Sequence, residues 1–318
     1  MLRLLFFGTP EFAAASLDAL IASGHAVVGV VTQPDRPSGR GHPVVPSPVK
    51  RLASAHAVPV WQPTRLKDEA FLDELRALAP DLGVVAAYGR ILPDAVLALP
   101  RLGLVNVHAS LLPAWRGASP VHRAVMAGDD ETGVTIMRVV KELDAGPILA
   151  RVRCPIGADD TSTDVERRLA ALGASLLLTT IDALERGGLH EVDQDHARAT
   201  FAPRLTKEEG SVDWSLPAPV IRNRIRGLQP WPLASTWLGD GRLILLAARV
   251  VDALPTADAP PGTIVETRPR LVVACGAGTA LEVTQVQPEG RRVMTAREFV
   301  AGHRLATGAR LGRVVAAP

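Results

Sequence analysis

Cysteine is scarce in this sequence: Cys154 and Cys275 are the only two in 318 residues, and neither lies in a CxxC motif. This scarcity excludes a disulfide-stapled scaffold and a cysteine-based zinc cluster. The sequence also has no apolar run long enough to span a bilayer. Its first residues enter an apolar stretch without the basic region and cleavage site of a secretory signal. We therefore expect a cytoplasmic protein without a metal site.

Two common motifs of cofactor binding and catalysis are missing as well. The first apolar stretch, residues 2–7, is followed by the turn GTPEF instead of GxGxxG, and no acidic residue ends the second stretch, residues 26–31. A dinucleotide cofactor is therefore disfavoured. Ser110 lacks a GxSxG context, which favours a hydrogen-bonding loop residue over a nucleophile.

The first part of the chain alternates apolar strands with helical patterns. A strand at 2–7, a helix at 12–22 and a strand at 26–31 predict the start of a doubly wound, mostly parallel α/β sheet. From about Lys207, short stretches rich in Val, Ile, Leu or Thr are separated by Gly and Pro, which predicts a small β-domain. We expect a catalytic domain at 1–188, a linker at 189–206 and a second domain at 207–318.

The charge is distributed unevenly, although the net charge is only +2. Residues 1–203 carry a net charge of −3, and residues 204–318 carry +5. A basic second domain favours an anionic macromolecule as a partner. A simple bias towards arginine is the alternative, and charge alone does not decide between them.

The stretch GLVNVHASLLPAWRGASP, residues 103–120, carries the strongest chemical signal. Asn106 and His108 are two residues apart on a short predicted strand, so their side chains project to the same face. A polar pair at a strand end, followed by a loop and a helix start, is typical of sites in open α/β sheets. A hydrogen-bonded strand end without a catalytic role is the alternative. A second stretch, ELDAGP, places Asp144 in a turn between two apolar strands.

Together, the motifs NVHxSLLPxWRGxxP and LDxGP resemble those of the folate-dependent formyltransferases. The flanking segments are most similar to the members that formylate initiator methionyl-tRNA. The resemblance implies 10-formyltetrahydrofolate as the formyl donor, a Rossmann-like catalytic domain and an OB-like barrel after it. It also implies that Asn106, His108 and Asp144 are catalytic. The implied folate-binding residues are Tyr88, Gly89, Arg90, Ile91, Leu92, Ser110, Leu111, Leu112 and Pro113.

These residue types suit formyl transfer. An amine that attacks a formyl carbon creates an oxyanion, which the amide of Asn106 can stabilise by donating a hydrogen bond. His108 changes its charge near neutral pH, and a nearby Asp144 carboxylate can pass protons through water. The chemistry needs no metal.

The implied contacts with tRNA lie in two places. The insertion QPDRPSGRGHP, residues 33–43, resembles the loop that meets the acceptor arm of tRNA in this family, although His42 and Pro43 stand where members often have basic residues. The segment NRIRGLQPWP, residues 223–232, resembles the start of the family's second domain. The implied tRNA-binding residues are Arg36, Arg40, Arg222, Arg224 and Arg226.

Three functions stay open at this point. The first is formylation of initiator methionyl-tRNA by a monomeric enzyme. The second is the same chemistry on another amine, such as a sugar nucleotide or glycinamide ribonucleotide, or hydrolysis of the formyl folate. The third is a nucleic-acid-binding module without enzymatic activity, against which the complete set of Asn106, His108 and Asp144 argues.

Overall fold

The computed structural model describes residues 1–37, 44–251, 259–303 and 305–312. The chain divides into two compact units whose segments interleave in sequence. The first unit comprises Met1–Pro120, Glu131–Pro155 and Val165–Pro203. The second comprises Val121–Asp130, Ile156–Asp164 and the chain from Arg204 onward. Within the described ranges, no helix combines the length and the apolar character needed to cross a membrane.

The strands of the first unit are β1 (Arg3–Gly8), β2 (Ala26–Val31), β3 (Arg36–Pro37), β4 (Val44–Val45), β5 (Val60–Trp61), β6 (Leu82–Ala86), β7 (Leu104–His108), β8 (Arg116–Gly117), β9 (Glu131–Arg138), β10 (Ile148–Pro155) and β11 (Phe201–Ala202). Seven of them form one sheet in the order β10-β9-β7-β6-β1-β2-β5. The five strands from β7 to β5 are parallel, and β9 and β10 run antiparallel. This topology confirms the predicted doubly wound, mostly parallel sheet.

The helices within the described residues are α1 (Glu11–Ile21), α2 (Pro48–Ala55), α3 (Glu69–Ala77), α4 (Asp94–Leu97), α5 (Pro120–Ala127), α6 (Ser162–Glu185), α7 (Ala218–Gly227) and α8 (Ala296–His303). Side-chain caps fix the first residues of two of these helices, α2 and α3. Ser47 caps α2 by accepting a hydrogen bond from the Lys50 backbone N–H, with Pro48 at the first helical position. Asp68 caps α3 by accepting from the Ala70 backbone N–H. Short 3₁₀ helices occupy His196–Arg198 and Glu208–Gly210.

The sheet of the first unit brings two loops to one edge. β6 and β7 are parallel neighbours, so the segments that follow them leave the same edge of the sheet. These segments are residues 87–93 and 109–115. Open α/β sheets bind ligands at this carboxyl edge.

The second unit contains β12 (Ala234–Leu238), β13 (Gly241–Val251), β14 (Ile264–Glu266), β15 (Leu271–Ala274), β16 (Ala280–Pro288) and β17 (Met294–Thr295). They form one antiparallel sheet in the order β12-β13-β16-β15-β14, with β17 paired to β16. Trp214, Ile221 from α7 and Phe299 from α8 are buried in its core. This arrangement fits the predicted barrel-like second domain.

Candidate active site

His108 and Asp144 form a close pair in the first unit. His108 ends β7 and is 5% exposed. Its Nδ1 lies 3.7 Å from Oδ2 of Asp144, and its Nε2 lies 3.0 Å from the carbonyl oxygen of Trp115. A carbonyl can only accept a hydrogen bond, so His108 Nε2 carries a proton and donates it. The geometry meets the sequence-based expectation that His108 and Asp144 lie close together, and their catalytic roles stay predictions.

The Asp144 turn is joined to the loop that follows β7. Oδ2 of Asp144 accepts a hydrogen bond of 2.8 Å from the backbone N–H of Gly117. Asp144 has a φ of +50° and Gly117 a φ of +121°, so both ends of this bond lie in left-handed backbone. A Cβ on Gly117 would lie 2.8 Å from the carbonyl oxygen of Ala202, so this position requires glycine.

Asn106 lies two residues before His108 on β7 and therefore projects to the same face of the strand. Its side chain is half-buried, and no hydrogen-bond partner for its amide exists among the residues that the structure describes. The amide is thus free to bind a ligand, which is compatible with the predicted role as a donor to an oxyanion.

Gln194 and Arg116 surround the Asp144 turn, and sequence reasoning assigned them no role. Gln194 is 5% exposed, and its Nε2 donates to the carbonyl oxygens of Asp144 and Gly146 at 2.9 and 2.8 Å. Arg116 donates to Oε1 of Gln194 through Nε and Nη2 at 3.2 and 2.8 Å. Gln194 lies in a polar segment that the sequence analysis interprets as a linker. No feature of the sequence distinguishes Gln194 from the polar residues around it.

The loop at 110–113 is fixed by Thr135 on β9. The Thr135 hydroxyl donates to the carbonyl oxygen of Ser110 at 2.7 Å and accepts from the backbone N–H of Leu112 at 3.1 Å. The hydroxyl of Ser110 donates to the carbonyl oxygen of Ala114 at 2.6 Å. Ser110 is therefore placed as a structural loop residue, and Leu112 packs in the interior against Met137. Nothing in the sequence indicates that Thr135 fixes this loop, because Thr135 lies within an apolar predicted strand.

The predicted folate-binding residues after β6 occupy different environments. The ring of Tyr88 is buried against Phe7, with the ring centroids 5.7 Å apart, and burial raises the pKa of the Tyr88 hydroxyl. The ring therefore belongs to the core, and the predicted folate contact at Tyr88, which stays a prediction, involves its backbone. Gly89 has a φ of +80°, and a Cβ there would lie 2.6 Å from Nε2 of Gln33. Ile91, in contrast, is 82% exposed.

A cleft of about 840 Å³ adjoins this segment. Arg90, Ile91 and Leu92 line it, and Arg65, Leu66, Lys67, Glu69, Leu72, Pro93, Asp94, Ala95 and Lys141 complete its lining. The guanidinium of Arg90 donates to the carbonyl oxygens of Pro63 and Thr64, which fixes the wall on that side. The residues at 110–113 are not part of this lining.

The base of the insertion at 33–43 is closed by a polar network. Lys50 Nζ donates to Asp35 at 2.5 Å and to Gln62 Oε1 at 2.7 Å, and Gln62 donates to Asp35 at 2.7 Å. The hydrogen bond from Lys50 is the main reason why the pKa of Asp35 is lowered. Arg36 lies on β3, and Arg40 falls outside the described residues.

The three predicted tRNA-binding arginines of α7 are engaged within the second unit. Arg222 donates to Asp159 at 2.9 Å, and Arg224 donates to the carbonyl oxygen of Glu209 at 3.1 Å. Arg226 is buried and donates to Oδ1 of Asn223 and to the carbonyl oxygen of Asp160. The expectation of a phosphate contact is corrected for Arg226, because its guanidinium is directed into the protein.

Comparisons with known proteins agree with this picture. The formyl transferase family model matches residues 2–181, and the model of the formyl transferase C-terminal domain matches residues 204–304. A methionyl-tRNA formyltransferase of Methylococcus capsulatus is 50% identical over 98% of this chain and 100% of its own length. One from Moorella thermoacetica is 48% identical over the same shares.

The fold is shared with solved structures of lower sequence identity. An N-formyltransferase from Helicobacter canadensis superposes with a TM-score of 0.68 at 15% identity, covering 89% of this chain and 99% of its own. HypX from Aquifex aeolicus reaches a TM-score of 0.63 at 17% identity, covering 97% of this chain and 48% of its own. Both matched domain models and the full-length relatives lead to one conclusion: the chain belongs to the formyl transferase family.

Proposed function

We propose that this protein transfers the formyl group of 10-formyltetrahydrofolate to the free amino group of the methionyl moiety of initiator methionyl-tRNA. The product is N-formylmethionyl-tRNA, which is used in translation initiation. The observation that carries the proposal is the pairing of His108 with Asp144 beside the amide of Asn106, for which the described residues offer no hydrogen-bond partner. The full-length identity of 50% to a methionyl-tRNA formyltransferase supports the choice of acceptor.

The reaction proceeds by addition and elimination at the formyl carbon. The amine nitrogen forms a bond to this carbon while the carbonyl π electrons move to oxygen. The bond from the carbon to N10 of the folate then breaks, and the proton lost by the amine ends on N10. The products are the formylated amine and tetrahydrofolate.

Each catalytic residue has a place in these steps. The amide of Asn106 donates to the oxyanion, a contribution that is typically worth about 10²–10³ in rate. His108 donates through Nε2 to Trp115, so the Nδ1 side, which faces Asp144, is the side that exchanges protons. Asp144 accepts the Gly117 N–H at the same time, which keeps its carboxylate in place during the transfer.

The cleft beside Arg90, Ile91 and Leu92 suits the folate donor. Apolar side chains offer a surface for a flat ring, and Arg65 and Lys67 offer positive charge for an anionic tail. Lys141, in contrast, is paired with Asp94 at 3.6 Å. We propose that folate contacts the segment 88–92 in this way, with Tyr88 contributing backbone only. Contacts at 110–113 stay part of the proposal, with Leu111 and Pro113 contributing side chains and with Ser110 and Leu112, whose side chains are buried, contributing backbone.

The tRNA surface is proposed to include the insertion with Arg36 and Arg40 and the second domain, residues 207–318. On α7, Arg222 and Arg224 are only partly buried and stay candidates for phosphate contacts. We propose a catalytic domain at 1–188, a linker at 189–206, and a monomeric enzyme that acts in the cytoplasm.

A formylation assay with three acceptors tests the function. The purified protein and 10-formyltetrahydrofolate are incubated with initiator methionyl-tRNA, with an amino sugar nucleotide, or with no acceptor. We expect formyl transfer to methionyl-tRNA only. Transfer to the sugar nucleotide alone would show another acceptor class, and release of formate without an acceptor would show hydrolysis.

A further inference from the structure

We propose that Gln194 and Arg116 are positioning residues that hold Asp144 against His108. The inference rests on the formyl transfer proposed above. Neither residue contacts the reacting atoms in this proposal. Both act through the turn that carries the Asp144 carboxylate.

Gln194 fixes the backbone of that turn. Its single amide nitrogen donates to two carbonyl oxygens, those of Asp144 and Gly146, at 2.9 and 2.8 Å. The φ of +50° at Asp144 is a left-handed backbone conformation that is unfavourable for a non-glycine residue. Such a turn needs external bonds to stay in place, and Gln194 supplies two of them. Loss of these bonds would let the Asp144 carboxylate move away from Nδ1 of His108.

Arg116 fixes the orientation of the Gln194 amide. Nε and Nη2 of Arg116 both donate to Oε1 of Gln194. With the amide oxygen held in this fork, the NH₂ group must face the Asp144 turn. A flipped amide would place its oxygen against two carbonyl oxygens and its nitrogen against a cation.

The burial of Arg116 supports an orienting role rather than an ion pair. Its side chain is 3% exposed, and burying a guanidinium is costly unless it is hydrogen-bonded. The carboxylate in reach, that of Glu142, is 4.0 Å away and 72% exposed, so it compensates little. The short contacts go instead to Oε1 of Gln194 at 2.8 Å and to Nδ1 of His196 at 3.1 Å. The guanidinium therefore orients the Gln194 amide beside the His108–Asp144 pair.

The first test is Gln194→Leu in the full-length enzyme, which removes both donors and keeps the approximate size. We expect kcat for formyl transfer to fall about 10- to 100-fold, because a displacement of about 1 Å at a catalytic group costs this much. The KM values for folate and for tRNA should stay unchanged, since Gln194 contacts neither substrate. Arg3→Leu is the matched control: the Arg3 guanidinium also donates to two carbonyl oxygens, those of Leu78 and Ala79, but at the start of β1, which β6 and β7 separate from β9 in the sheet. Its kcat should equal that of the wild type.

A double mutant separates positioning from general destabilisation. If Gln194 acts through Asp144, then Gln194→Leu combined with Asp144→Asn should have the kcat of Asp144→Asn alone. A further loss in the double mutant, or an unchanged kcat in Gln194→Leu, would overturn the proposal. An inactive wild type would instead overturn the proposed function, so the two failures differ.

Arg116→Lys keeps the inference testable if Gln194→Leu does not fold. Lysine retains the positive charge but loses the fork that holds Oε1 of Gln194. We expect the same selective loss of kcat with unchanged KM. Wild-type turnover in Arg116→Lys would contradict the orienting role of the guanidinium.

Discussion

His108 and Asp144 are held by opposite ends of one tripeptide. The carbonyl oxygen of Trp115 accepts from Nε2 of His108 at 3.0 Å, and the backbone N–H of Gly117 donates to Oδ2 of Asp144 at 2.8 Å. A single short segment thus sets the distance of 3.7 Å between the imidazole and the carboxylate. The WRG motif contributes to the site through its backbone as well as through the Arg116 side chain.

His108→Ala should lower kcat for formyl transfer by about 10²–10⁴, the usual contribution of a positioned acid or base. Folate affinity should change little, because the predicted folate contacts lie elsewhere. Steady-state kinetics and equilibrium binding of a folate analogue measure the two effects. The exposed His56 provides a control, and His56→Ala should keep full turnover. Unchanged kcat in His108→Ala would remove this residue from the catalytic set.

Gly117→Ala should reduce both stability and turnover. The new Cβ would meet the Ala202 carbonyl oxygen at 2.8 Å in left-handed backbone, a strain of about 1–3 kcal/mol, and would disturb the bond to Asp144. Gly187→Ala is the matched control, because Gly187 has a φ of +69° and a Cβ added there would meet no atom within 4 Å. Thermal unfolding and kcat should separate the variants: only Gly117→Ala should lose turnover.

Arg40→Ala should weaken the use of methionyl-tRNA while folate binding is kept. Each phosphate contact contributes roughly 0.7–0.9 to the slope of log affinity against log salt concentration. The slope of tRNA binding should therefore become shallower by about one contact. An unchanged slope together with normal formylation would show that Arg40 is a solvated loop residue without a role in tRNA binding.

Glu166→Gln should stabilise the protein at neutral pH. Burial raises the pKa of Glu166 in the folded protein above its value of 4.5 in the unfolded chain. The stability of the folded state that comes from protonated Glu166 is therefore complete below pH 4.5 and is lost as the pH rises through the folded-state pKa. Glutamine has nearly the same shape without the charge, so it avoids this loss. Denaturant unfolding at several pH values should show the advantage at pH 7 and none below pH 4.5. An advantage that is independent of pH would point to another cause.

Cys275 should resist alkylation in the folded protein. Burial raises the pKa of its thiol to about 12, from an ordinary value of 9.0. The thiolate fraction at pH 8 is then lower by about 10³ than in an unfolded chain. Iodoacetamide labelling with peptide mapping can follow Cys275 separately from Cys154. The raised pKa of the Cys275 thiol also predicts that the free energy of unfolding decreases as the pH rises above about 9. Rapid labelling at pH 8 without unfolding would contradict the burial.

The sequence by itself determined the chemistry and the class of fold. Asn106 and His108 lie on one strand. Because side chains alternate between the two faces of a strand, these two project to the same face, independently of the tertiary structure. The alternation of strands and helices likewise indicated a parallel sheet, and the short strands after Lys207 indicated a second β-domain. Signals of this kind are local, so they can be read within a few residues.

Only the tertiary structure decided which distant residues surround the Asp144 turn. Gln194 lies 50 residues from Asp144 in sequence, and only folding brings its amide to the Asp144 turn. In the sequence, Tyr88 and Arg226 resemble residues that contact a ligand. In the structure, the Tyr88 ring packs against Phe7 in the core. The Arg226 guanidinium donates to the carbonyl oxygen of Asp160 and is also directed into the protein. Burial and long-range hydrogen bonds depend on how all elements pack at once, and no local pattern of residue types contains that information.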